Sequence, residues 1–134
     1  MKSSSDIRPA VIQPLGNGAY HYNYNIVERQ ETDPETGEVK TVYDYDTVKV
    51  WDKPTYEKLV KAVIREKLDE TQEFAIINEY NAGVLGVITD TTKKQEAKQA
   101  YKDYLTFVSA TKAMVRADIG IVEEAAEQKG GAYV

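Results

Sequence analysis

The stretch YHYNYNIVER, residues 20–29, alternates aromatic or branched side chains with polar ones. Successive side chains of a β-strand point to opposite faces, so this period of two predicts a strand with one buried face. The polar face would carry His21, Asn23 and Asn25. The residues expected on the buried face are Tyr20, Tyr22, Tyr24 and Ile26.

A second alternating stretch, VKTVYDYDTVKVW, occupies residues 39–51, and the segment TDPETG at 32–37 separates it from the first. Asp33-Pro34 favours the start of a turn, and Gly37 can adopt the left-handed conformation that closes it. We therefore predict a long tyrosine-rich β-hairpin over residues 19–51. An isolated two-stranded ribbon is marginally stable in water, so it must pair with another segment, lie on helices or dock on another chain.

Residues 1–18 precede the hairpin and are predicted to form an extended N-terminal arm. Pro9 lies in its polar part, a short apolar segment follows at 10–15, and Gly16-Asn17-Gly18 supplies a tight turn. No apolar run follows Lys2, so a secretory signal peptide is not expected. The apolar stretch at 83–88 is far shorter than the roughly 20 residues of a membrane span. We expect synthesis in the cytoplasm and no membrane contact.

After Trp51 the apolar residues recur at helical spacing. The spacing predicts a first helix over residues 53–68, with Asp52 as its N-cap, because Asp accepts bonds from free N–H groups there. A second helix is predicted to begin at Thr71, to bury Phe74, Ile77 and Tyr80, and to end at residues 81–83. A third is predicted from Thr91 or Thr92 to about Gly120.

The third helix carries two apolar stripes, and a single packed neighbour covers only one of them. The stripe with alternating spacings of four and three is typical of a helix–helix seam; its members are Ala97, Tyr101, Tyr104, Val108, Thr111 and Val115. The second stripe, which requires a further contact, comprises Ala100, Phe107, Ala110, Met114, Ala117 and Ile121.

Together these patterns predict an α+β fold in which a tyrosine-rich β-hairpin precedes a bundle-like part of three helices, the third of them long. The predicted divisions are an arm at 1–18, the hairpin at 19–51, a helical domain at 52–122 and a tail at 123–134. The length of 134 residues is sufficient for one domain with its own core.

Composition excludes several classes of function. The chain has no cysteine, so thiolate zinc sites and thiol nucleophiles are excluded, and its single histidine excludes a site with several histidine ligands. The net charge of −5 comes from residues 28–46, with seven acids and two bases, so the rest of the chain is neutral. Nucleic-acid binding requires clustered excess positive charge, and none is expected here. We also expect no cofactor, metal or small-molecule substrate.

Three groups of polar residues are candidate sites. His21 could act as a base, but a polar residue on the wet face of a strand is the favoured interpretation. Asp44 and Asp46 could bind a cation or form a catalytic pair, but a solvated acidic face that discourages edge pairing is favoured. Lys93, Lys94, Lys98 and Lys102 could meet phosphate, but acids are interleaved with them, which favours a solvated helix face.

The ten tyrosines are the unusual part of the composition. Tyrosine is large, rigid and amphipathic, and it is enriched at protein interfaces. For the hairpin tyrosines, an interface role and a core role remain equal alternatives, whereas the core role is favoured for the helical ones. The predicted interface residues are Tyr20, Tyr22, Tyr24, Tyr43, Tyr45, Phe107, Met114 and Ile121.

Three segments carry a resemblance: TDPETGE at 32–38, PTYEKLVKAVIREK at 54–67 and EFAIINEYN at 73–81. Over roughly residues 20–115 the chain resembles small uncharacterised proteins of tailed phages and prophages of gut Bacteroidota. The resemblance implies a viral protein of the virion or of its assembly.

We therefore expect a non-enzymatic structural component of a bacteriophage particle, located in the head, neck or tail or associated with a fibre. Its expected partners are copies of itself and other phage structural proteins, and its expected location is the virion. One alternative is a cytoplasmic tail-fibre assembly chaperone that is absent from the mature particle. The other is a hydrolase that uses the carboxylates of the hairpin.

Overall fold

The computed structural model describes the backbone of residues 2–128 and the side chains of residues 2–120. The fold is α+β, with a four-stranded antiparallel sheet followed by three helices. The strands are β1 (Lys2–Ser5), β2 (Ile12–Pro14), β3 (Ala19–Thr32) and β4 (Val39–Trp51). The helices are α1 (Tyr56–Lys67), α2 (Glu70–Val84) and α3 (Thr91–Gln128).

The two short strands at the edges of the sheet come from the predicted arm. The strand order is β1-β4-β3-β2, with β1 antiparallel to β4 and β2 antiparallel to β3. Because β1 and β2 lie at opposite edges, residues 6–11 between them cross one face of the sheet. We call this crossing segment the strap. The arm is thus part of the sheet, and it supplies pairing that a two-stranded ribbon lacks.

A β-bulge interrupts the pairing of β3 with β4. Tyr24 lies opposite Asp46 and Val27 opposite Asp44, so Asn25 and Ile26 together face the single residue between those partners. Asn25 has a φ of 52°, in the left-handed region that Asn tolerates better than most residues. The extra residue takes Ile26 out of the tyrosine alternation. The predicted place of Ile26 on the buried face is therefore wrong.

The polar face of the hairpin is covered where the strap crosses it. Asn23 is 1% exposed; its side-chain amide donates to the backbone oxygen of Ala10 at 2.8 Å and accepts the hydroxyl proton of Thr47. The backbone N–H of Asn23 donates to the oxygen of Val11 at 2.8 Å. A buried amide requires such partners, and the strap supplies them. The strand face that was predicted to be exposed to solvent is therefore buried at Asn23.

The helix starts differ from the predicted ones because other side chains act as caps. Thr55, not Asp52, caps α1 and accepts from the N–H of Lys58. Asp69, not Thr71, caps α2 in a reciprocal capping box with Gln72. The third helix begins at Thr91 as predicted, but it continues through Gly120 to Gln128. Part of the predicted tail is thus helical, and residues 129–134 lie outside the described residues.

The core lies between the tyrosine face of the sheet, α1 and α3. Its fully buried side chains include Tyr22, Leu59 and Val115, one from each of these layers. The hydroxyl of Tyr22 donates to Asp118 on α3 at 2.5 Å. Burial, followed by this carboxylate, raises the pKa of Tyr22, so its proton stays in the bond at ordinary pH.

Stacked aromatic rings contribute to the packing of the second helix on α3. The rings of Tyr80 and Tyr101 stack with centroids 4.4 Å apart, and Tyr101 also stacks with Tyr104. Ile77 and Tyr80 are half-buried, whereas Phe74 is 58% exposed. The predicted inward position of Phe74 is therefore wrong, because the side of α2 that carries it has no neighbour among the described residues that buries it.

The left-handed residue of the bulge provides a test of backbone strain. We expect Asn25→Val to lower the free energy of unfolding by about 1–2 kcal/mol, because a β-branched residue resists positive φ. Asn25→Gly should lower it by less or raise it. Both variants lose the 3.3 Å bond from Asn25 to Asp46, so that bond does not contribute to the difference between them. Urea denaturation measures both, and equal losses would contradict the assignment.

The bond between the sheet and α3 provides a second test. Tyr22→Phe removes a hydrogen bond to a charged group while keeping the ring, and it should reduce stability by about 1.5–3 kcal/mol. Tyr45→Phe, at a half-buried position of β4, is the matched control and should change stability by less than about 0.5 kcal/mol. Similar losses in the two variants, compared by thermal and urea unfolding, would show that Asp118 contributes nothing specific.

Candidate interaction surfaces

A groove of about 490 Å³ opens between the bulge of β3, the C-terminal half of α1 and the middle of α3. Its apolar walls are Tyr24, Val63, Phe107, Ala110 and Met114. Three of these residues, Tyr24, Phe107 and Met114, were predicted from the sequence as interface residues. The fold therefore brings together side chains that are up to 90 positions apart in the sequence.

Local structure explains why these side chains meet. Phe107, Ala110 and Met114 follow the helical spacing of three and four, so they share one face of α3. That face is the second predicted stripe. The other stripe packs inward, with Ala97, Thr111 and Val115 buried, whereas Ala110 and Ala117 of the second stripe are exposed. Phe107 and Met114 of this stripe are half-buried against the core, and Ala110 between them is exposed at the groove, so the stripe is partly covered within the chain.

Charged side chains lie among the walls of the groove. Asp46, Glu66 and Lys67 contribute to its lining, and the ammonium of Lys67 lies 4.3 Å from the ring centroid of Phe107. Burial, followed by the carboxylates of Asp46 and Glu66, raises the pKa of Tyr24 to about 12. The phenol therefore stays neutral at ordinary pH. The groove combines apolar walls with two carboxylates and one ammonium group.

The predicted interface residues occupy different environments. Tyr22 and Tyr24 belong to the buried core of the chain itself, with rings stacked 5.1 Å apart, so the core alternative applies to them. Tyr20, Tyr43 and Tyr45 are half-buried in the sheet, as are Phe107 and Met114 on α3. For these five the interface role stays a prediction. Ile121 belongs to α3 by its backbone, and its side chain lies outside the described residues.

The hairpin carboxylates hold strands together. Asp44 accepts from the hydroxyl of Ser4 at 2.6 Å and from the guanidinium of Arg29 at 2.6 Å, which links β4 to both neighbours. The Ser4 bond, then the Arg29 bond, lowers the pKa of Asp44. Asp46 lies 3.7 Å from the ammonium of Lys2. The bonds and the lowered pKa of Asp44 favour a structural role for this residue over that of a general acid, which must hold a proton.

The other polar candidates have ordinary surroundings. His21 is half-buried in β3, opposite Gln13 on one side and Lys49 on the other. Lys93, Lys94, Lys98 and Lys102 are all exposed on α3, as expected for a solvated helix face. Within the described part of the chain, no three acidic or histidine side chains converge in a way that could hold a metal ion.

A polar junction joins the three helices through Arg65, Glu73 and Tyr104. Glu73 of α2 accepts from the guanidinium of Arg65 on α1 at 2.9 Å and from the hydroxyl of Tyr104 on α3 at 2.7 Å. The Tyr104 bond, then the Arg65 bond, lowers the pKa of Glu73. Burial, then the carboxylate, raises the pKa of Tyr104 to about 12.

The connection between α2 and α3 presents an apolar surface that the sequence reasoning missed as a site. Val84 is 66% exposed, Leu85 78% and Val87 76%; we call these three residues the apolar turn. Backbone bonds fix its shape, since the N–H groups of Leu85 and Val87 donate to Asn81 and Ala82 at 2.9 Å. The signal in the sequence was an apolar run placed between two helices, where polar residues are usual.

No family model, curated protein or solved structure matches the chain. Within residues 2–128, no helix has both the length and the apolar character needed to cross a membrane. The surfaces described above are therefore the basis for assigning a function.

The junction of Arg65, Glu73 and Tyr104 should make the free energy of unfolding depend on pH in the acidic range. Glu73→Gln should reduce the free energy of unfolding at neutral pH by about 1–3 kcal/mol, because it removes a charged acceptor shared by two donors. The folded-state pKa of Glu73 is lowered, so its contribution is present above the unfolded pKa of about 4.3. It is lost as pH falls through the folded pKa.

The difference between wild type and Glu73→Gln should therefore shrink in acid. Chemical denaturation at neutral pH and at several acidic values measures it. Glu79→Gln changes the same charge at an exposed position of α2 and is the control. A difference that stays constant down to the lowest pH, or equals that of the control, would contradict the role of Glu73.

Proposed function

We propose that this protein is a non-enzymatic structural component of a tailed-phage particle and works as an oligomer through protein–protein contacts. The observation that carries the proposal is the apolar turn, whose three large side chains are each about two-thirds or more exposed. Exposed apolar side chains that form one contiguous patch are a mark of surfaces that bind other macromolecules. The fixed backbone of the turn reduces the entropy cost of such binding.

The groove gives the proposal its second support. Phe and Met are enriched at protein interfaces, and Phe107 and Met114 both line this groove. The thioether side chain of methionine adapts to irregular partners, which suits a docking surface. An apolar turn and an apolar groove on one small chain provide two places at which neighbours in an assembly can bind.

In the proposed arrangement, the tyrosine hairpin is an acidic ribbon carried by a bundle-like helical part. Residues 28–46 carry the whole net charge of −5. Beyond the bulge, most of β3 is exposed as far as Thr32. We place this end of the ribbon against solvent or against a basic patch on another phage structural protein, because complementary charge guides docking. No direct contact with nucleic acid is part of the proposal.

The virion is part of the proposal because the sequence resembles small proteins of tailed phages and prophages. Copies made in the host cytoplasm would join the particle as a head, neck or tail accessory or as a fibre-associated protein. The hydrolase alternative receives less support, because Asp44 is bonded to Ser4 and Arg29.

A chaperone for tail-fibre assembly is the second candidate, and the groove favours it. A groove between two helices, lined by aromatic and thioether side chains, can accept the apolar face of a client helix. Such a chaperone would act in the cytoplasm and leave before the particle matures. It differs from the structural component in one accessible property, its presence in the finished particle.

The test is to quantify the protein by mass spectrometry in purified particles and to measure its mass in solution by sedimentation. A fixed ratio to the major capsid or tail protein, together with self-association, is the expected result. Presence in infected-cell lysate with absence from particles would favour the chaperone. A stable monomer found in no purified virion would refute the structural role.

A further inference from the structure

The apolar turn and the groove are two unpartnered apolar surfaces at different places on one chain. We propose that they are the two halves of a single contact, in which the apolar turn of one copy enters the groove of a second copy. The inference deepens the proposed function and rests on it, since it names the surfaces through which copies associate. The first question is whether the turn could instead fill its own groove.

The length of α3 excludes that intramolecular contact. The apolar turn precedes Thr91, where α3 begins, and the groove is reached at Phe107. Sixteen residues of continuous helix separate these two positions, which corresponds to about 24 Å at 1.5 Å per residue. The turn is also tied by backbone bonds to the end of α2. A turn that occupies this groove must therefore come from another molecule.

The two surfaces match in chemistry. The turn offers branched aliphatic side chains, with Leu85 the most exposed of them. The groove offers aromatic, thioether and methyl groups from Phe107, Met114 and Ala110. Removing such groups from water favours association in proportion to the apolar area buried. The turn is fixed by its backbone bonds, and one wall of the groove is a continuous helix, so little ordering is required on binding.

Charges near the two surfaces are complementary. The lining of the groove includes the carboxylates of Asp46 and Glu66 and the single ammonium of Lys67. Beside the turn, Lys94 and Lys98 line the same surface depression as Val84, and no acid lines it. A turn docked in the groove thus brings two ammonium groups towards a lining with two carboxylates and one ammonium group, although Asp46 also lies 3.7 Å from the exposed ammonium of Lys2. Such complementarity favours the correct orientation on encounter.

The contact joins two different patches, so it is heterologous. Whether copies pair reciprocally or continue as a longer assembly, every contact uses one turn and one groove. This property allows a complementation test. A copy with a damaged turn still offers a groove, and a copy with a damaged groove still offers a turn.

Two substitutions damage the surfaces one at a time. Leu85→Asp places a charge on the turn, and Ala110→Arg fills the groove and adds a positive charge opposite the lysines of the turn. Both positions are exposed, and Arg is a good helix former, so the fold should be kept. The matched controls are Thr89→Asp, in the same connection, and Ala113→Arg, exposed on α3 outside the groove. Circular dichroism and thermal unfolding check that all four remain folded.

Sedimentation velocity at micromolar concentration gives the readout. We expect wild type and both controls to self-associate, and Leu85→Asp and Ala110→Arg each to sediment as monomers. An equimolar mixture of these two variants should form a heterodimer, because one intact turn and one intact groove are then present.

Two outcomes would overturn the inference. A monomeric mixture, with wild type still associating, would mean that copies meet through other surfaces; the proposed role in the particle would then stand. Wild type that stays monomeric at every concentration would refute the contact outright. The proposed function fails on a separate result, the absence of the protein from purified particles.

Discussion

The position of Tyr22 between the sheet and α3 is the constraint on which the rest of the structure depends. Its ring is fully buried among side chains of the sheet, α1 and α3, and its hydroxyl reaches Asp118. The bond therefore crosses from the first long strand to the last helix. With the sheet fixed against α3 at this point, α1 is enclosed between neighbours, and the bulge lies at the edge of the core. The groove lies beside this bulge, between β3, α1 and α3.

Different kinds of contact hold different parts of the molecule together. Apolar packing dominates where the tyrosine face meets α1 and α3, whereas ion pairs and hydrogen bonds dominate where polar side chains join strands or helices, as at Asp44 and Glu73. The side chains of the apolar turn take part in neither kind of contact, because nothing in the described part of the chain covers them. A small domain does not need such a surface for its own stability. Its presence is the reason for proposing that this protein acts in an assembly.

The sequence was sufficient for the α+β class and for elements with strong periodicity, because alternation and helical spacing are local properties. It was insufficient wherever contacts between distant parts of the chain determine the local structure. Lys2–Ser5 carries no apolar pattern, and it forms a strand only because β4 offers an edge. The bulge depends on Asn25 tolerating positive φ, which leaves no pattern in the sequence. Phe107 and Met114 could be predicted as part of an uncovered stripe, but Val63 and Asp46 join the groove only through the fold.

The pairing of β1 with β4 has a consequence for the order of folding during synthesis. Lys2 pairs with Asp46 and Ser5 with Tyr43, so the residues of β1 are synthesised some forty positions before their partners. The β3–β4 hairpin closes locally, and contacts between residues close in sequence form fastest. The strap can cross only after that hairpin exists, and the Tyr22–Asp118 bond, with a separation of 96 residues, requires synthesis through α3. The β1 strand is therefore synthesised before the hairpin but takes its place in the sheet after it.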